Sequence, residues 1–298
     1  MTDAPTTSTA TLVQAWKTAQ TRLKAARLDS PAIDARLLLE AATGASRTDI
    51  LTDPYRPLTP DQAATFEDWL ARRERREPVS RILGRKGFWK LMLKVTPDVL
   101  TPRPDTEVIV DYALRAFAEG RAFDILDLGV GSGAILLSIL AERPAARGLG
   151  VDVSEEALAV ARENAANLGL EGRCALLRGW WTEGLGENSF DLVVSNPPYI
   201  RSGDIEGLEP EVAVHEPRLA LDGGPDGLEP YRALAPETLR VLRPGGLMLV
   251  EFGAEQANAV RALFAAAGAQ DLEVLKDLGD RDRVLSGRKP LGNRRATR

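Results

Sequence analysis

The chain is poor in the residues that build disulfides and metal sites. Its 298 residues include one cysteine, Cys174, and one histidine, His215. A disulfide framework is excluded, as is a cysteine-based zinc centre, and such sparing use of cysteine fits a reducing compartment. Long hydrophobic runs are missing too. The longest apolar stretch, 134–141, is far short of the roughly 18 residues that a membrane span requires. Residues 1–11 are small and polar with one acid. They lack the basic patch and apolar segment of a secretory signal and read as a disordered leader. These absences predict a soluble protein of the cytoplasm.

A broad positive field is also absent. The formal net charge is -5, with 15 Lys and Arg against 11 Asp and Glu in residues 1–90 and 23 against 32 in the rest. Proteins that grip duplex DNA neutralise many phosphates and usually advertise a basic surface; this chain does not. Its positive excess lies mostly within 72–90, which suits either a solvated helix face or contact with RNA or an acidic partner.

What is present is an ordinary globular composition, 44% hydrophobic and 27% charged, in a length that allows one large domain or two modest ones. Three helices are predicted first. One spans 12–27. A second starts at Ser30-Pro31, carries Ile33, Leu37, Leu38 and Leu39, and stops near Gly44. A third starts at Thr59-Pro60 with Phe66, Trp69 and Leu70 as its apolar stripe. Ser or Thr before Pro is a helix start, because the hydroxyl caps and Pro is tolerated at the first helical position. These helices predict a small helical domain over 1–77. Residues 78–100, whose stretch 87–95 has strand character, are expected to form a linker with half of a hairpin.

From about 108 the pattern alternates between strand and helix. Strands are predicted at 123–128, 149–153, 175–177, 190–194 and 247–252, with helices between them such as 108–118, 155–167 and 231–242. Such alternation predicts a doubly wound, mainly parallel α/β sheet over 101–298, with ligands at the carboxyl ends of its strands.

The first of these strands runs into Asp127-Leu128-Gly129-Val130-Gly131-Ser132-Gly133-Ala134. Glycines let a backbone turn sharply and approach a ligand closely. The spacing also satisfies the dinucleotide fingerprint, with Asp152 placed to grip a ribose, so a nicotinamide enzyme competes at this point. The alternating glycines, with Asp127 two residues ahead, favour S-adenosylmethionine, which has no pyrophosphate to cradle.

The fourth strand is followed by Ser195-Asn196-Pro197-Pro198-Tyr199. An amide or aromatic-amine nitrogen is a poor nucleophile because its lone pair is delocalised. Two acceptors held at fixed angles, the Asn196 side-chain oxygen and the Pro197 carbonyl, can hold both N–H groups and turn the lone pair toward an incoming methyl group. The prolines stiffen the loop and remove competing donors. Tyr199 offers a flat face to the planar group. A methyl already activated on a sulfonium needs chiefly in-line placement, so no perturbed base is demanded.

Asn-Pro-Pro-Tyr also occurs in adenine-N6 DNA methyltransferases. The remainder of the chain resembles the protein-(glutamine-N5) methyltransferases of the HemK/PrmC type over nearly its whole length. The resemblance is carried by Glu77-Pro78-Val79 with Gly84 and Phe88-Trp89, by the stretch Thr101-Pro102-Arg103-Pro104-Asp105-Thr106-Glu107, and by Glu216-Pro217, Ala220-Leu221, Gly223-Gly224, Asp226-Gly227-Leu228 and Tyr231-Arg232. It implies a class I, Rossmann-like methyltransferase sheet with a small N-terminal helical-bundle domain that helps hold the substrate. It implies S-adenosylmethionine as cofactor and the glutamine of the Gly-Gly-Gln loop of class 1 peptide chain release factors as acceptor. By position, Gly129, Val130, Gly131, Ser132 and Gly133 would line the methionine part of the cofactor. Asp152 would bind its ribose, Trp180 would lie by the adenine, and Asn196 would border the cofactor too. Asn196, Pro197, Pro198 and Tyr199 would hold the glutamine amide, with Phe88 on the substrate side.

The sequence departs from that pattern in places. Val130 and Ser132 stand where relatives often carry Thr, and Val130 is expected to offer its backbone N–H instead. Gly179 stands where an Asp often precedes the tryptophan, and Phe252 where His occurs. Arg103, Asp105 and Glu107 suit either substrate contact or a salt-bridged loop, and the same stretch suits the N-cap of the helix at 108. A structural role, bracing or capping, is expected of Glu216, and a buried place for Cys174. The rival readings are a glutamine of a ribosomal protein as acceptor, a DNA adenine, or a protein that binds the cofactor without turnover.

Overall fold

The computed structural model describes residues 10–292; most of the expected leader falls outside the described residues. In chain order the elements are α1 (Leu12–Ala25), α2 (Pro31–Thr43), α3 (Arg47–Thr52), α4 (Pro60–Glu74), α5 (Val79–Leu83), β1 (Arg85–Phe88), β2 (Leu91–Lys94), α6 (Glu107–Ala116), β3 (Asp124–Leu128), α7 (Ala134–Glu142), β4 (Arg147–Asp152), α8 (Glu155–Asn167), β5 (Cys174–Arg178), β6 (Phe190–Ser195), α9 (Pro210–Ala213), α10 (Glu229–Val241), β7 (Leu242–Glu251), α11 (Ala257–Ala266), β8 (Gln270–Lys276) and β9 (Asp282–Arg288). They divide into two compact units. One comprises the residues up to Gly84 with Glu209–His215; the other comprises Arg85–Leu208 and the chain from Glu216 onward.

The first unit is helical. Leu12, Ala15, Ala19 and Leu23 form the buried stripe of α1 and pack with Leu38 and Leu39 of α2 and Phe66 and Leu70 of α4. Thr59 caps α4 by accepting from the Gln62 N–H, and Gly44 ends α2 at φ 70°. Two short helices, α3 and α5, were not predicted. Pro78 stands at the N-cap of α5 rather than ending the bundle, so helix continues to Leu83 and the expected linker at 78–100 is not a separate piece. A distant segment completes this unit. Glu211 pairs with Arg73 at 3.0 Å and with Arg76 at 2.9 Å, and Arg73 also holds the buried Asp34 at 2.7 Å. With Arg72 on Glu77 as well, much of the basic run 72–90 neutralises acids of its own unit instead of forming a free cationic patch.

The second unit opens with the β1–β2 hairpin, which turns at Trp89 (φ 53°) inside the segment expected to carry a hairpin, so that the stretch 87–95 supplies the turn as well as a strand. A seven-stranded sheet follows in the order β5-β4-β3-β6-β7-β9-β8. The first five are parallel, and β9 runs antiparallel to β7 and β8. Residues alternate between its faces, as the period of a strand requires. Ile125, Leu192, Val194 and Leu247 pack under α6, α7 and α8, whereas Leu126, Val193, Met248 and Val250 pack under α10 and α11. Each such apolar side chain contributes about 1.5–3 kcal/mol when fully buried. The last two strands escaped the sequence pattern. β8 is half exposed, with three charged residues, and β9 carries charge at both ends, so neither shows the apolar run of a central strand. Among the described residues no helix is long and apolar enough to cross a membrane.

Chain order rises outward from β3 through β4 to β5 on one side and restarts beside β3 with β6 on the other. That reversal is the point where open α/β sheets bind ligands.

Candidate active site

The loops leaving β3 and β6 are tied at this switch point. The Ser195 hydroxyl donates to the Leu128 carbonyl at 2.7 Å, in a buried position. Beside them lies a cavity of about 340 Å³, within the range of small-molecule sites, lined among others by Phe88, Gly129, Val130, Gly131, Ser132, Asp152, Trp180, Asn196 and Pro198. The structure thus gathers most of the predicted site residues around one space. Gly133, Pro197 and Tyr199 do not border it. Gly133 (φ 84°) starts α7, and a side chain there would strike Leu137. Tyr199 packs into the core under α10 and α11, its carbonyl accepting from the Gln256 side chain at 3.0 Å. Burial pushes its phenol up to about 12. Phe88 is 2% exposed and meets the cavity as part of its apolar wall.

The glycine loop is shaped for a ligand. Gly129 and Gly131 have φ of 75° and 53°, and a side-chain carbon added to either would meet no atom within 4 Å. Packing therefore does not account for these glycines; turn geometry and the adjoining cavity do. The loop holds its own shape by hydrogen bonds. The N–H groups of Gly129 and Val130 both donate to the Val151 carbonyl, at 2.9 and 3.0 Å. The Val130 N–H is therefore committed to the end of β4 and is not offered to a ligand, contrary to expectation. The neighbouring Ser132 carbonyl accepts from the buried Asn164 side chain at 2.9 Å.

Asp152 ends β4 at the cavity. Its Oδ2 accepts from the Gly131 N–H at 2.9 Å and its Oδ1 from the Ser154 N–H at 3.0 Å. A carboxylate oxygen takes more than one donor, so the fixed side chain retains lone pairs for a pair of hydroxyls. Trp180, 57% exposed, offers its indole at the cavity wall, edge to face with Trp181. Below the loop, Asp127 is buried and accepts from the Leu136 N–H in the first turn of α7. Burial raises its pKa well above the carboxylate range.

Asn196 follows β6 directly. Its Nδ2 donates to the Thr106 hydroxyl at 3.2 Å. Glu251, at the end of β7, is fully buried nearby. Desolvation raises its pKa to about 7, while hydrogen bonding from Thr106 and Asn196 and the Arg283 charge pull the other way. Sequence reasoning missed Thr106 and Glu251. The signal for Glu251 was available: a lone acid closing the apolar run Leu247–Val250 has no reason to be there as packing. Thr106 was hidden among more conspicuous charges. Those charges form a salt-bridged loop. Arg103 pairs with Glu216 at 3.2 Å, and Asp105 with Arg281 and Arg283 at 3.1 and 3.3 Å. Glu107 accepts the Trp89 N–H at 2.8 Å. Glu216 also accepts from the Thr101 N–H at 3.0 Å, which is the bracing role expected of it. Cys174 is buried, and desolvation raises its thiol to about 11.

Comparison with known proteins places the chain in a family. Residues 14–84 match the PrmC N-terminal domain and residues 120–280 a methyltransferase domain. A release factor glutamine methyltransferase of Caulobacter vibrioides is 66% identical over 281 residues, 94% of this chain and 97% of that protein. Another, of Rhodospirillum rubrum, is 49% identical over 90% of this chain and 82% of its own. A solved protein-(glutamine-N5) methyltransferase (release factor-specific) of Alicyclobacillus acidocaldarius is 30% identical and covers 66% of this chain and 99% of its own, with a TM-score of 0.40. On the strength of its sequence relatives, the chain belongs to the release factor glutamine methyltransferase family.

Proposed function

We propose that this protein transfers a methyl group from S-adenosylmethionine to the side-chain amide nitrogen of the Gly-Gly-Gln glutamine in class 1 peptide chain release factors, in the cytoplasm. The observation that carries the reading is the joining of the glycine loop and the Asn196 loop at one cavity, in a chain whose relatives bear that name. Neither nucleic acid nor membrane is needed as a partner, and the helical unit is assigned to holding the release factor.

The residues fit the cofactor. Gly129 and Gly131 leave room where a side chain would intrude, Asp152 presents an anchored carboxylate, and Trp180 presents a flat apolar face. When bound, S-adenosylmethionine supplies a methyl already activated on a positively charged sulfur. The chain's own work is then to hold the acceptor. Asn196 Oδ1, at the cavity, accepts one amide N–H of the glutamine and turns its nitrogen lone pair toward the methyl, with the Pro197 carbonyl, in the same loop but outside the cavity lining, as the expected second acceptor. Asn196 can do this because its Nδ2 is already committed to Thr106. The proximal ring of Phe88 and the pyrrolidine of Pro198 exclude water beside the amide. As the nitrogen–carbon bond formed, the bond from sulfur to that carbon would break with its electron pair staying on sulfur, and the amide nitrogen would give up one proton. Positioning carries most of the rate, since two reactants held in line gain much of the effect of high effective concentration.

The test is mass spectrometry of an unmodified class 1 release factor after incubation with the protein and S-adenosylmethionine. One methyl on the glutamine of the Gly-Gly-Gln peptide is expected. An unmodified peptide, with cofactor bound and protein folded, would overturn the reading and leave a ribosomal-protein glutamine or an adenine as the acceptor to try.

A further inference from the structure

An asparagine that must present its oxygen has an ambiguity built in. The amide carries an acceptor on one side and a two-proton donor on the other, with almost the same shape. Only one of its two orientations accepts an N–H from a substrate amide. Something in the fold must therefore choose between them.

The environment of Asn196 contains such a device. Thr106 ends a 3-10 turn (Pro104–Thr106) that runs straight into α6, with helical φ -69° and ψ -19°, and its hydroxyl caps no backbone N–H. The hydroxyl is turned instead toward Asn196 and accepts from Nδ2 at 3.2 Å. Thr106 is 4% exposed, so its own proton needs a partner inside the protein. Glu251 stands on the other side. It is 2% exposed, and its Oε2 is buried without a hydrogen-bond partner. Thr106 and Asn196 are close enough to its carboxyl to lower its proton affinity. The neighbouring Arg283 does not neutralise it by pairing; that guanidinium is held by Asp105 and Asp277 at 3.3 and 3.4 Å and donates to the Phe252 carbonyl at 3.3 Å. The backbone of Glu251 is fixed as well, because its carbonyl accepts from the buried Tyr231 hydroxyl at 2.9 Å.

These contacts define a direction. A carboxyl oxygen that accepts the Thr106 proton leaves the Thr106 oxygen free to accept, and what it accepts is the Asn196 N–H. The reverse orientation would put the Asn196 oxygen against the Thr106 hydroxyl. The threonine proton would then turn to it, and the Glu251 carboxyl would lose the hydrogen bonding that Thr106 and Asn196 now direct toward it.

We propose that Glu251 is a positioning residue that acts through the Thr106 hydroxyl to fix the Asn196 amide with its Oδ1 toward the substrate. The proposal rests on the reading above in which Asn196 holds the glutamine amide. Thr106 meets the cavity wall beside Asn196, whereas Glu251 lies outside the lining and acts only through its neighbours, so loss of the network lowers turnover and leaves binding nearly intact.

The experiment measures kcat and KM for an unmodified release factor, and the dissociation constant for S-adenosylmethionine, in Thr106→Val, Thr106→Ser, Glu251→Leu, Glu251→Gln and Asn196→Ala. Thr106→Val and Glu251→Leu are expected to lower kcat on the order of 10- to 100-fold, less than removal of a group that contacts the reacting atoms. KM and cofactor affinity should stay within about threefold of the parent. Thr106→Ser and Glu251→Gln, which keep the hydroxyl and an acceptor oxygen, should recover most of the rate. Thr106→Val has nearly the shape of threonine, so it remains decisive if Glu251→Leu does not fold. The proposal is overturned if Thr106→Val turns over at the parental rate, if its loss lies in KM, or if Thr106→Ser does not recover. Asn196→Ala separates the two readings. An active Asn196→Ala protein sinks the assignment of the site itself, whereas an inactive one beside a fully active Thr106→Val protein sinks only the role of Glu251.

Discussion

The two loops that meet at the switch point are built on opposite principles. Between β3 and α7 the chain uses glycines with positive φ, and open space surrounds Gly129 and Gly131. After β6 it uses consecutive prolines. Pro197 is buried, Asn196 is tied to Thr106, and Tyr199 is anchored through Gln256. One loop makes room and the other makes a fixed surface. That division suits a transfer reaction, in which a flexible, variously shaped donor must be admitted while a small planar acceptor must be held at one angle. Even their polar groups differ. The N–H groups of the glycine loop are largely committed to the Val151 carbonyl and Asp152, whereas the Asn196 loop is predicted to keep its acceptors for substrate.

The sharpest way to break this comparison is Asn196→Ala. Turnover should fall by at least about 10²–10³-fold, while calorimetric affinity for S-adenosylmethionine stays within a few fold. A collapse of affinity instead would mean that the acceptor loop also holds the cofactor. Gly129→Val attacks the other principle. A β-branched residue at φ 75° costs about 1–2 kcal/mol of strain and fills the cradle, so cofactor binding should weaken by at least tenfold on the order of magnitude expected for a blocked pocket. Asp152→Ala should weaken cofactor binding by roughly 1.5–3 kcal/mol through lost charge-assisted hydrogen bonds, with kcat at saturating cofactor little changed; unaltered binding would remove Asp152 from the site.

A smaller effect concerns pH. Burial raises the Glu251 carboxyl from its ordinary 4.5 to about 7, against Thr106, Asn196 and Arg283 and with Asp105 adding to the rise. The fold thus prefers the protonated acid. Its contribution to stability is fully present below about pH 4.5 and is lost as pH rises through about 7. The melting temperature of the parent relative to Glu251→Gln should fall between pH 5 and 8 by on the order of a few degrees. A difference that stays flat would show that this carboxyl is not desolvated as described. Smallest of all is Gly179→Asp. A side-chain carbon at Gly179 would lie 3.6 Å from Val151, an ordinary contact, at the cavity wall. The substitution should tighten cofactor binding by a few fold, the worth of one added hydrogen bond, as read by titration calorimetry.

Much of the site was legible before the fold was known, because its parts are local. Gly129 and Gly131 announce a turn that needs positive φ, and Asn196-Pro197-Pro198 announces stiffened acceptors, wherever the rest of the chain goes. The legible helices were likewise those with local start signals, such as Thr59-Pro60. The segment Glu209–His215 gave no sign that it belongs with the helical unit, because its reason for being there is Arg73 and Arg76, more than a hundred residues away. β8 and β9 gave none either, since β8 is a half-exposed edge strand and β9, though buried between β7 and β8, breaks its apolar run with Arg283, Ser286 and Gly287.

The sequence by itself determined the kind of chemistry: which loop could admit a methyl donor, which could hold a planar nitrogen, and that a parallel sheet would carry both. Only the tertiary structure decided what each polar side chain does there. It sent Val130's N–H to β4, turned the Thr106 hydroxyl onto Asn196, and set a buried carboxyl behind them. The physical reason is range. Backbone conformation is set by neighbours in the chain, whereas the partner of a buried hydrogen-bonding group is whatever the packing of distant elements brings within about 3 Å.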